Sequence, residues 1–188
     1  MKRLLVPVAL IAAAVCMAQR SPSGSTNRTM LAMMPDVKKE LKITKDQDKK
    51  IQAAMKEMQD KAMNGEIRID LSDPMGSMDI DFGPILDDAQ KVRLEELYAQ
   101  YNGGFALADP KFVTALAINE ETLAQIKAIK STAARELPQM MMNARSTAAA
   151  KEAEKKRDEF SLQMLALLTE EQKTKFETMK GKAFKFKQ

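Results

Sequence analysis

Apolar residues recur at three- and four-residue spacing along most of this chain, the signature of helices with one buried face. After Thr44 the stripe is Ile51, Ala54, Met55, Met58 and Ala62. After Asp87 it is Leu94, Leu97, Tyr98 and Tyr101, and after Asn119 it is Leu123, Ile126, Ile129, Ala133 and Leu137. Pro138 is expected to kink or interrupt that last helix, since it lacks an N–H and its ring crowds the preceding turn. The helical pattern then resumes from 139 to 167, with Phe160, Met164, Leu167 and Leu168 apolar near its end. Its middle, RSTAAAKEAEKKRDE, is alanine-rich and charged, and reads as an exposed helical arm with little to bury. Only residues 65–84 alternate with period two, in Ile67 to Leu71 and Met78 to Phe82 around Pro74 and Gly76. A small hairpin and an irregular loop both remain open there, because an isolated hairpin is marginal in water.

The helices share one opening. In Leu168-Thr169-x-x-Gln172, the Thr hydroxyl can accept a first-turn N–H while the Gln side chain reaches back to the cap's own N–H, a capping box. Apolar Phe176 follows seven residues after the cap. The same order runs through Ile43, Thr44, Gln47 and Ile51; through Leu86, Asp87, Gln90 and Leu94; and through Ile118, Asn119, Thr122 and Ile126. One box is a weak signal, but four with the same flanks mark an internal repeat. A second layer agrees. PDVKKELKIT (35–44) aligns without a gap to PKFVTALAIN (110–119), each led by a proline suited to the first turn of a helix. The expected architecture is all-α, in two tandem half-repeats, 30–102 and 105–188. Gly103 and Gly104 mark the join, and a flexible segment spans 19–29.

Composition adds a location. Lys2 and Arg3 precede an apolar run from Leu4 to Val15, then small residues, as in a secretory signal peptide over 1–18 cut after Ala18. That run falls short of the ~20 apolar residues that span a bilayer, so an integral membrane protein is not expected. Cys16 is the only cysteine; Val15 before it disfavours lipoprotein processing, and no disulfide is then available. The chain is therefore expected to be exported. Of 188 residues, 170 remain once 18 are removed, and losing Lys2 and Arg3 takes the net charge from +4 to +2. So small an excess gives no case for nucleic acid. Charge is unevenly spread: residues 66–96 carry nine acids and three bases, whereas 173–187 carry six lysines against Glu177.

Candidate chemistry is sparse. With no histidine and no cysteine in the mature chain, neither a nucleophilic constellation nor a phosphate-binding glycine loop is visible, so no enzyme and no cofactor are expected. Asp70, Asp73, Asp79 and Asp81 miss the spacing of a calcium loop, with Gly83 one place early and Gln90 where a bidentate Glu belongs. Methionine is abundant: 15, or 13 without Met1 and Met17. Met55 and Met58 are expected to fill the core. Met140, Met141 and Met142 cannot all face one core, because successive helical residues point about 100° apart, so part of that cluster should be exposed. Thioethers can serve as adaptable contacts or as soft ligands for copper or silver, for which Met30, Met33 and Met34 are the candidates.

The repeated box resembles the LTxxQ motif of the Spy/CpxP family of exported bacterial proteins. Leu168 to Gln172 and Ile43 to Gln47 carry it most clearly, Leu86 to Gln90 more loosely, and Ile118 to Thr122 departs at Thr122. The four-motif layout is most similar to exported proteins of planctomycete-type bacteria. The resemblance implies a periplasmic envelope-stress role, with Spy-like members holding unfolded clients without ATP on mixed apolar and basic surface. It implies unfolded or envelope proteins as partners, and Met140, Met141, Met142, Lys182, Phe184, Lys185 and Phe186 as client-binding candidates. Spy-like members carry two motifs and pair; four motifs in one chain imply a monomeric pseudo-dimer, with a homodimer as the alternative. The second reading is a methionine-based soft-metal binding or sensing protein.

Overall fold

The computed structural model describes residues 26–66, 79–143 and 147–187, with the backbone alone at 141–143 and 147. The fold is all-α. The helices are α1 (Arg28–Met33), α2 (Pro35–Glu40), α3 (Lys45–Met63), α4 (Asp88–Asn102), α5 (Pro110–Ala115), α6 (Glu120–Asn143), α7 (Thr147–Ala166) and α8 (Glu170–Met179), with a 3-10 helix over Gly103–Ala108. No strand occurs among the described residues; residues 67–78 of the alternating segment lie outside them, and 79–86 form loop and turn.

The core is built around the 3-10 helix, whose residues Gly103 to Leu107 are all buried. α7 lies so close that a Cβ on Gly104 would overlap the Ser161 carbonyl, and the Ser161 hydroxyl accepts the Gly104 N–H at 2.8 Å. Only glycine permits that approach. Tyr98 stacks on Phe112 with ring centroids 5.9 Å apart, and Phe112 meets Phe176 edge-on, also at 5.9 Å. These three rings tie α4, α5 and α8 into one core.

The four residues seven places after each cap, Ile51, Leu94, Ile126 and Phe176, are all buried. Helix ends also repeat. After α2, Lys42 N–H bonds Lys39 C=O and Ile43 N–H bonds Lys38 C=O; after α5, Ala117 and Ile118 make the corresponding bonds to Thr114 and Val113. This is the Schellman arrangement, which needs a left-handed residue just past the helix. Lys42 (φ 52°) and Ala117 (φ 49°) take that role without glycine, so the usual sequence signal for a helix end is missing at both.

In the second half no interruption occurs at Pro138, and the expected exposed arm is not seen. α6 runs through Pro138 to Asn143 without interruption. Pro138 and Ala134, whose carbonyl loses its partner, both face solvent, so water can satisfy the freed group. Nor is the alanine-rich stretch an exposed arm. α6 and α7 pack against each other. Ala153, Arg157, Phe160, Ser161 and Met164 form the buried face of α7, while Lys151, Glu152 and Lys155 stay outside. Ala153 is fully buried, and the aliphatic stem of buried Arg157 packs like an apolar side chain. Its guanidinium lies 5.4 Å from the Phe105 ring centre and donates to the Tyr101 carbonyl at 2.9 Å, satisfying a C-terminal group of α4.

Candidate functional site

The capping boxes do more than close helix ends. Thr44, Asp87 and Thr169 each accept the backbone N–H three residues on, from Gln47, Gln90 and Gln172. Each Gln Oε1 accepts the cap's own N–H in return, at 3.0 Å in all three. That leaves each Gln amide free to donate elsewhere. Gln47 Nε2 donates to Gln90 Oε1 (2.6 Å) and to the Ile85 carbonyl (3.0 Å). Gln90 Nε2 donates to Gln47 Oε1 (3.1 Å) and to the Leu41 carbonyl (3.0 Å). The two boxes of the first half thus clasp each other. In the second half Gln172 Nε2 reaches the Leu116 carbonyl at 3.0 Å, matching Gln90 on Leu41. Its counterpart Thr122 only donates its N–H to Asn119 Oδ1 at 2.8 Å and carries no amide to return the bond. Sequence reasoning found the caps but not the clasp; the glutamine that ends three of the four boxes was the available signal.

A charged knot holds α1. Arg28 makes a forked pair with Glu95 (2.8 and 2.6 Å) and bonds Asp109 at 2.8 Å, with its guanidinium 4.0 Å from the Tyr98 ring centre. Burial opposes its charge, but hydrogen bonds and attraction from Glu95 and Asp109 outweigh it and raise the pKa further. Thr29 donates N–H and O–H to Asp79, both at 2.8 Å, and Asp81 accepts the Gly83 N–H. Two of the four loop aspartates are therefore occupied in holding structure; Asp70 and Asp73 lie outside the described residues. No cluster of three or more His, Cys, Asp or Glu suited to a metal occurs among the described residues.

The methionines separate by position. Met33 and Met34 pack against the core, while Met30 is 46 % exposed. Met140 is half-buried, and the side chains of Met141 and Met142 lie outside the described residues. Met55 and Met58 are not core: in α3 only Ile51 is buried, Ala54, Met55, Met58 and Ala62 are half-exposed, and Met63 is 79 % exposed. The stripe has the right period, but of its residues only Ile51, in the second turn, is buried. Lys56–Asp60 and Glu57–Lys61 pair within α3 at 2.8 and 2.7 Å, adding support along its exposed side.

The C-terminal segment is docked. Gln100 and Arg93 donate to the Lys182 carbonyl, both at 2.8 Å, and Gln100 Oε1 accepts the Phe184 N–H at 2.8 Å. Asp36 accepts the Lys187 N–H at 2.7 Å. Phe186 meets Tyr101 edge-on at 5.0 Å and Phe184 at 4.9 Å. Both phenylalanines are half-buried, whereas Lys182, Lys185 and Lys187 are exposed. The segment walls one side of a cleft of about 490 Å³ against α2, lined by Pro35, Lys39, Lys42, Phe184, Lys185 and Lys187 together with Asp36 and Glu40.

Comparison with protein-family models, with curated proteins and with solved structures finds no match to this chain.

Proposed function

We propose that this protein is an exported holding chaperone of the bacterial envelope, which binds unfolded proteins on a helical surface without ATP. The observation that carries the reading is the α3 face. Ala54, Met55, Met58, Ala62 and Met63 form an apolar stripe that the described residues leave half open to solvent. Methionine side chains are flexible and polarizable, so such a stripe can adapt to many sequences. The LTxxQ resemblance and the signal-peptide pattern point to the same role and place. Soft-metal binding has less support, since Met33 and Met34 are turned to the core while Met30 is exposed.

The decisive measurement is light scattering. The protein, in chelator and without nucleotide, is mixed near-equimolar with a chemically unfolded model protein on dilution. Suppressed aggregation is expected, and replacing Met55, Met58 and Met63 with Gln should weaken it while the circular dichroism spectrum holds. Unchanged aggregation in the presence of the protein would sink the proposal. Sedimentation at low concentration then checks the associated expectation of a monomer.

A further inference from the structure

The cleft between α2 and the C-terminal segment is unbalanced in charge. Of its two acids, Glu40 is held by Arg93 at 2.7 Å and Asp36 accepts the Lys187 N–H. Lys39, Lys42, Lys185 and Lys187 are exposed and form no ion pair among the described residues. Pro35 and half-buried Phe184 add apolar lining between them. We propose that this cleft binds a short acidic peptide segment, whose carboxylates meet the lysines and whose apolar side chain rests on Phe184 and Pro35. Charge complementarity fixes the sign of the occupant. Its volume suits a short segment rather than a folded surface. The apolar lining has no use for an inorganic anion, and a bilayer cannot enter a concavity. The inference deepens the holding reading and rests on it only for the claim that such segments belong to unfolded clients.

The test uses the full chain and a short fluorescein-labelled peptide of glutamates around one phenylalanine, followed by anisotropy at low salt. Binding is expected to weaken with salt and to vanish when the glutamates become glutamines. Lys39→Gln with Lys185→Gln should weaken it about tenfold, each exposed charge contributing a fraction of that. Lys127→Gln with Lys175→Gln, exposed lysines outside the cleft, should leave it unchanged. No binding would overturn the proposal, as would equal losses in both double variants or equal affinity for polyglutamate without phenylalanine. Displacement of the peptide by phosphatidylglycerol vesicles through the same two lysines would assign the surface to a membrane instead. Suppressed aggregation without peptide binding would sink the cleft and spare the chaperone; peptide binding without suppression would do the reverse.

Discussion

Gln90 shows how much one side chain can do here. Its oxygen closes a helix cap and meets the Gln47 amide, and its nitrogen reaches the Leu41 carbonyl and Gln47. Gln90→Ala should therefore cost more than an ordinary cap, about 1–3 kcal/mol, because it strands partners as well as removing a bond. Thr122 is the complementary case: a glutamine there would stand where Gln47 stands in the first half. Thr122→Gln is expected to add a return bond to the α8 box and to stabilise by about 1 kcal/mol. Denaturant midpoints measure both changes, and an unchanged midpoint for Thr122→Gln would show that the halves differ in geometry as well as in sequence.

At the scale of elements, α3 is half-exposed or exposed along most of its length and carries ion pairs between its own side chains. Paired with Lys61, the Glu57 carboxyl titrates below its ordinary value. A carboxyl depressed in the folded state adds stability that is present above its unfolded pKa and is lost as pH falls through the folded one. Lowering the pH through and below the ordinary glutamate range should thus fray the last turns of α3 before the body responds. Amide exchange, corrected for the intrinsic rate, should rise at Glu57 to Met63 while Leu94 to Tyr101 stay protected. Equal protection in both segments would mean that something outside the described residues covers the helix.

At the scale of the molecule, Gly104 passes directly against the α7 backbone. Gly104→Ala should cost about 1–3 kcal/mol or more, since backbone rather than a flexible side-chain end stands in the way. The loss should appear as one cooperative transition at a lower melting temperature, because the 3-10 helix contacts α4, α5, α6 and α7 together. Two separate transitions would mean that the halves fold independently.

Much of the helical layout was legible in the sequence, because helices announce themselves locally. Capping residues, a polar residue three places on and an apolar one seven places on follow from backbone hydrogen-bonding needs and a 3.6-residue period. The gapless match of 35–44 to 110–119 likewise paired Lys42 with Ala117, although neither looks like a helix end. Tertiary structure decided the rest. Whether a stripe is buried depends on what stands opposite, so Met55 and Met58 share the pattern of Leu94 and Leu97 yet lie half-exposed. A charged alanine-rich run supplies Ala153 and Arg157 to the buried face of α7, where Arg157 meets the Tyr101 carbonyl and the Phe105 ring. The glutamine clasp, the docked C-terminal segment and the basic cleft all join residues far apart in the chain. No local period encodes such meetings; only the folded path brings them together.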